Sequence, residues 1–258
     1  MHIGESINMS AEERQLVARI AVEAAAGRVP VFVNVSLSGT DQVVALARHA
    51  ESVGARGLVV ISPYHWQPAR AALVDHFTTV AASVGISLIA YNYPERIGVT
   101  LTPDLVIELI GRCPNLVGLK DAGINMEYFT EMCRVTTAAR SDFSVFTGVE
   151  YFLPGMVVGG AGAFSACGAV APRLVKAVYD ACAAGDYVRA RPLQYKLSHL
   201  FNAIKIDYPS GIKAAMAFMG RAAGPTRKPI PSLDSIGLRR IQSELEKLGI
   251  LAEEPHGW

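Results

Sequence analysis

Two apolar runs in this chain end on side chains able to do carbonyl chemistry. Asn115-Leu-Val-Gly-Leu-Lys120 is a short buried-strand pattern that stops on a lysine. One strand earlier, Leu88-Ile-Ala-Tyr91-Asn92 stops on a phenol and an amide. An ammonium among apolar neighbours loses hydration, its pKa falls, and the free amine can attack a carbonyl. The plainer alternative is a lysine that leaves the sheet and carries its charge into solvent, and the Lys120 strand alone favours it. The second strand end, with the proton-bearing hydroxyl of Tyr91, shifts the reading toward a site.

The elements that must position these residues alternate from the start. Ser10-Ala-Glu-Glu13 is a capping box opening a helix that runs to Gly27, a C′ glycine. Strand patterns follow at 29–35, 57–62, 88–92, 115–120, 143–147 and 162–167. Helical patterns separate them, beginning at the expected cap Thr40, near Ala69, at Thr102 with Pro103 in the first turn, at Met126 and at Leu153. After Pro172 the strands stop, and helical patterns fill 172–184, 187–204, 210–220 and 233–248. The cluster Gly159-Gly160-Ala-Gly162 precedes a strand, the wrong order for a phosphate cradle, and reads as a tight turn.

Apolar strands separated by helices predict parallel β-structure covered by helices. Chemically interesting residues at several strand C-termini favour a (β/α)8 TIM barrel over a doubly wound sheet. Only six strands are predicted, so the barrel is expected to be incomplete, with a C-terminal helical extension. Residues 1–170 are expected to form the barrel portion and 171–258 the helices that complete and flank it, in one domain.

The 258 residues are 51% hydrophobic and 18% charged, with a formal net charge of +1, values that argue against disorder and give no electrostatic footprint for nucleic acid or an acidic membrane surface. No apolar stretch is long enough for a transmembrane span, and the first residues carry no signal-peptide pattern. Cys113, Cys133, Cys167 and Cys182 are scattered, without zinc-ligand spacing, which fits a reduced cytoplasmic protein.

Read together, these segments resemble the dihydrodipicolinate synthase / N-acetylneuraminate lyase family of pyruvate-dependent class I aldolases. Gly4-Glu5-Ser6 looks like the end of its GxxGE motif, Tyr91-Asn-Tyr-Pro-Glu-Arg-Ile-Gly98 like its YNxPxRTG segment, and Gly118-Leu-Lys-Asp-Ala122 like its Schiff-base motif. Gly148 and Gly162-Ala-Phe-Ser165 match its later glycine-rich strand ends. The resemblance implies that Lys120 forms an imine with a 2-keto acid, that Tyr91 shuttles protons, and that Arg96 grips a carboxylate. It places Gly148 and Ser165 at the pocket and Glu150 where sialic acid lyases bind sugar hydroxyls. Solvated-loop readings of Arg96 and Glu150 stay open. No metal and no organic cofactor are implied, and a homodimer or homotetramer is expected by inheritance from the family.

Departures from the pattern matter as much. Where the synthases carry hydroxyl residues in GxxGE, this chain has His2 and Ile3, and isoleucine cannot relay a proton. Where they lend a tyrosine across the dimer from a PYY segment, it reads Pro63-Tyr64-His65-Trp66, so His65 takes that place. His2 and His65 are candidate replacement acid/bases. In the family GxxGE ends the second strand, so the chain reads as lacking an initial strand–helix–strand. The resulting expectation is a Schiff-base lyase, an aldolase or dehydratase, acting on pyruvate or a 2-keto-3-deoxy sugar acid. A catalytically silent truncated barrel is the alternative, and lysine-pathway synthase activity ranks lower.

Overall fold

A computed structural model describes residues 3–257. In chain order the elements are α1 (Ala11–Ala25), β1 (Phe32–Asn34), α2 (Thr40–Ser52), β2 (Gly57–Ile61), α3 (Arg70–Ala82), β3 (Ser87–Asn92), α4 (Pro94–Ile97), α5 (Pro103–Arg112), β4 (Leu116–Asp121), α6 (Met126–Ala139), β5 (Ser144–Thr147), α7 (Phe152–Val157) and β6 (Gly162–Ala163). Helices α8 (Pro172–Ala183), α9 (Tyr187–Ile204), α10 (Ser210–Phe218), α11 (Ser235–Lys247) and α12 (Ile250–Glu253) complete the chain. The six strands follow sequence order in one sheet, with β1 to β4 paired in parallel, as the alternating pattern predicts.

Contacts divide the chain into two compact units. The strand unit comprises Met9–Phe146 with Val158–Ala161. Its helix-facing layer buries Leu58, Val60, Leu88, Ala90 and Leu119 with Phe77, Leu105, Leu109, Phe129 and Met132. Each such fully buried leucine or phenylalanine contributes roughly 2 kcal/mol of hydrophobic stabilisation. The capping box of α1 forms as expected: Glu13 N–H donates to Ser10 Oγ and Ser10 N–H to the Glu13 carboxylate. The guanidinium of Arg14 donates to the carbonyls of Asn34 (2.9 Å) and Ser36 (3.1 Å), so a helix side chain satisfies acceptors at the end of β1.

Thr40 does not cap α2. The cap position is Gly39, without a side-chain bond, because the Thr40 hydroxyl pairs instead with Nδ1 of His76 at 2.9 Å. Burial drives the pKa of His76 down to about 4.

The helical unit comprises Thr147–Val157 and the chain from Gly162 onward, together with the N-terminal residues through Asn8. Val178, Leu197, Leu200, Ile204, Ile212, Met219, Ile241, Leu245 and Ile250 form its core, and Ile3 packs against it. Helix α8 has no cap from its own flank. Glu254, far along the chain, supplies one by accepting the N–H groups of Arg173 (2.9 Å) and Leu174 (2.7 Å). Glu5 of the GE pair accepts from Arg227 N–H at 2.7 Å and lies 2.5 Å from Lys213 Nζ.

The strand expected over 162–167 is shortened to Gly162–Ala163, with a 3-10 turn at Cys167–Ala169. The N–H groups of Ala166 and Cys167 bond the Glu150 carboxylate, which takes this segment out of strand pairing. Gly159 (φ 102°) and Gly162 (φ 146°) adopt the left-handed backbone that a tight turn before the strand requires. Among the described residues no helix is long and apolar enough to cross a membrane.

Candidate active site

Strands β3 and β4 bring Tyr91 and Lys120 side by side. The two residues are register partners, as are Asn92 and Asp121 one step on. Lys120 Nζ lies 3.8 Å from the centroid of the Tyr91 ring, and that ring stacks on Tyr93 with centroids 5.8 Å apart. Tyr91 is 3% exposed and Lys120 half-buried. A Cβ on Gly118 would meet the Ser144 carbonyl oxygen at 2.7 Å, so the glycine two residues before the lysine lets β5 approach β4 closely.

Side chains alternate across a strand. Tyr91 and Lys120 therefore share one face, and Asn92 and Asp121 share the other, where the helices lie. On that side Asn92 Nδ2 donates to Asp121 Oδ1 at 2.7 Å, and Asn92 Oδ1 accepts the Leu101 N–H at 2.9 Å. The Gly123 N–H also donates to Asp121 Oδ1 at 3.2 Å. Leu101 in turn offers its carbonyl to the Tyr128 hydroxyl of α6 at 2.6 Å. Asn92 and Asp121 are each 1% exposed. Burial raises the Asp121 pKa to about 6, with the nearby charge of Glu95 adding to the rise and the bonds from Asn92 and Gly123 N–H opposing it.

Arg96 sits in the one-turn helix α4, exposed, between β3 and Leu101. Gly98, in the left-handed region at φ 70°, closes that turn by donating to the Pro94 carbonyl at 2.8 Å. His65 lies in the exposed loop after β2 with φ 81°, an uncommon backbone for histidine, and its ring meets Trp66 edge-on at 4.9 Å. Trp66 is 74% exposed. Tyr64 is half-buried in the strand unit, its hydroxyl pKa raised by burial.

In the helical unit Gly148 is half-buried just after β5. Glu150 is 2% exposed, and its Oε1 accepts from the Ser165 hydroxyl (3.1 Å) and from the Ala166 (2.5 Å) and Cys167 (2.9 Å) N–H groups. Burial raises its pKa against the pull of those bonds. Its carbonyl accepts from Gln194 Nε2 at 2.5 Å, and Gln194 Oε1 accepts the Leu153 N–H at the start of α7. Ser165 also accepts the Gly168 N–H. Glu150 and Ser165 are thus committed to each other and to a turn. His2 lies outside the described residues.

Asn92 and Asp121 went unassigned as functional residues in the sequence, although both stand inside the quoted motifs. The available signal was polarity: two adjacent polar residues at each of two neighbouring strand ends leave one of each pair facing the helices, where a buried polar group needs a partner. Among the described residues no group of three or more His, Cys, Asp or Glu side chains is arranged to hold a metal ion.

The parallel strands carry a lysine and a tyrosine at adjacent C-terminal ends, the placement expected of barrel lyases that work through a lysine imine. The profile of the Dihydrodipicolinate synthetase family matches residues 2–248, and the chain belongs to that family. A 4-hydroxy-tetrahydrodipicolinate synthase from Methanoculleus marisnigri is 39% identical over 249 residues, which span 95% of this chain and 84% of that protein. Among solved structures, dihydrodipicolinate synthase from Aquifex aeolicus superposes with a TM-score of 0.92 at 33% identity, covering 98% of this chain and 86% of that one. YagE, an E. coli K12 prophage protein of the same family solved in complex with pyruvate, gives a TM-score of 0.92 at 30% identity, covering 96% and 85%. The fold is the family's TIM barrel, of which this chain carries six parallel strands and a helical C-terminal region. The family is one of pyruvate-dependent Schiff-base lyases.

Proposed function

We propose that the chain is a Schiff-base lyase acting on pyruvate or a 2-keto-3-deoxy sugar acid, with Lys120 as the nucleophile. The observation that carries this reading is the pairing of Lys120 with Tyr91, amine against phenol ring, at neighbouring strand ends. The free amine adds to the ketone carbon, and loss of water leaves a protonated imine. That imine is an electron sink: it accepts the pair released when a proton leaves the methyl carbon or when the carbon–carbon bond of a longer keto acid breaks. Tyr91 carries protons to and from the substrate oxygen. Arg96 takes the carboxylate in a bidentate grip, the role its planar fork suits. By the resemblance, Gly148, Glu150 and Ser165 would belong to the substrate pocket and His65 and His2 would be accessory acid/bases; the burial of Glu150 and its bonds to Ser165, Ala166 and Cys167 favour a turn-forming role for it instead. We place the protein in the cytoplasm, as a homodimer or homotetramer.

The names of the relatives support a second reading, 4-hydroxy-tetrahydrodipicolinate synthase. Ile3 argues against it, because this residue packs on an apolar core at a place where a proton relay needs a hydroxyl. Incubation with 2-keto-3-deoxy acids, following pyruvate release, separates the readings. Release supports a sugar-acid lyase. Condensation of pyruvate with the synthases' aldehyde, without keto-acid cleavage, establishes the synthase. Neither activity, with no exchange of pyruvate methyl protons into deuterated water, leaves a catalytically silent barrel.

A further inference from the structure

Pairing between β3 and β4 is not continuous. Leu88 pairs with Leu116 but Ile89 pairs with Gly118, so Val117 is an extra residue and the ladder is interrupted at its start. Beyond such a bulge the register is reset, and a one-residue slip moves every following side chain to the opposite face. A slip of that kind would swing Lys120 toward the helices and away from Tyr91. Beyond the bulge a side-chain bond from Asn92 to Asp121 joins the two strands, immediately behind the Tyr91–Lys120 pair.

We propose that Asn92 and Asp121 form a register clamp that holds Lys120 opposite Tyr91 and seats the loop carrying Arg96. They are positioning residues, since both face away from the reacting groups. The amide is suited to the task because it works from both ends: its nitrogen donates to Asp121 on β4, and its oxygen accepts the Leu101 N–H, closing the excursion that holds α4. The Tyr128 hydroxyl then joins Leu101 to α6, so strand register, loop and helix share one buried chain of bonds. The clamp's catalytic consequence rests on the Lys120 reading above, but the clamp itself does not.

The test exploits the polarity of the pair. Asn92→Asp keeps an acceptor for Leu101 but loses the amide donor and sets two carboxyl groups face to face, which repel unless a proton is held between them. The double variant Asn92→Asp with Asp121→Asn restores the bond between the strands, the new amide donating to the new carboxylate, which still accepts the Leu101 N–H; the longer bond from Gly123, which shares Asp121 Oδ1 in the starting chain, is not restored. Deuterium exchange into the methyl group of pyruvate, measured per folded molecule, is expected to fall by on the order of 10- to 100-fold in the single variant. In the double variant it should return to within about threefold of the starting chain, a rescue that mere loss of a buried bond would not give. An unchanged rate in the single variant overturns the clamp. So does a double variant as slow, or as poorly folded, as the single one. If the starting chain exchanges no pyruvate protons, the lyase reading fails instead, and the clamp is judged by backbone amide exchange at Leu101 and Ala122. Protection lost in the single variant and regained in the double supports it, and unchanged protection overturns it.

Discussion

Two buried carboxylates stand at strand ends in the two units, and they do different work. Asp121 reaches a side-chain amide on a neighbouring strand, on the face away from Lys120. Glu150 instead gathers backbone N–H groups and a hydroxyl from the segment after β6. The first arrangement couples strands and keeps their register. The second ends a strand and builds a turn. Context, more than burial or side-chain type, decides whether a buried acid aligns a site or shapes a loop.

The difference can be broken at several points. The largest effect belongs to the face in front of Asp121. Tyr91→Phe should slow methyl-proton exchange by about 10²- to 10⁴-fold while leaving imine formation at Lys120 intact, read by mass spectrometry and proton NMR. Glu150→Leu leaves the Ser165, Ala166 and Cys167 donors without their acceptor and should lower stability by about 2–4 kcal/mol in urea unfolding.

A pH series sharpens the contrast within the strand unit. The pKa of Asp121 rises from 3.8 to about 6 on folding, so the folded chain binds its proton more tightly, and its contribution to stability falls as pH rises from about 4 to 6. For His76 the pKa falls from 6.5 to about 4; its contribution is present above 6.5 and lost as pH falls toward 4. The two slopes oppose each other. Relative to a His76→Gln variant, the starting chain should therefore gain on the order of 3 kcal/mol between pH 4 and 6.5, measured by denaturant midpoints. The smallest expected change lies far from both carboxylates: Ser10→Ala breaks the α1 capping box and should cost about 1 kcal/mol in the same unfolding assay.

Much of this was legible beforehand, for physical reasons. The period of the apolar residues placed all six strands, and the Ser10 capping box made the start of α1 a local event. What stayed hidden depends on contacts distant in sequence. Thr40 has the right chemistry for a cap, yet the ring of His76 takes its hydroxyl from 36 positions away. The strand expected over 162–167 stops early because the side chain of Glu150 claims its N–H groups. Lys120 and Tyr91 stood out because each ends an apolar run, whereas Asn92 and Asp121 passed as their neighbours until the alternation of faces was combined with the register.

The proposed function turns on Lys120 as the residue that meets the keto acid. Borohydride reduction in the presence of pyruvate, followed by digestion and mass mapping, tests it most directly. A reduced pyruvate adduct is expected on the peptide carrying Lys120, absent in Lys120→Met. An adduct on another lysine, or none under conditions where the chain is folded, would contradict it.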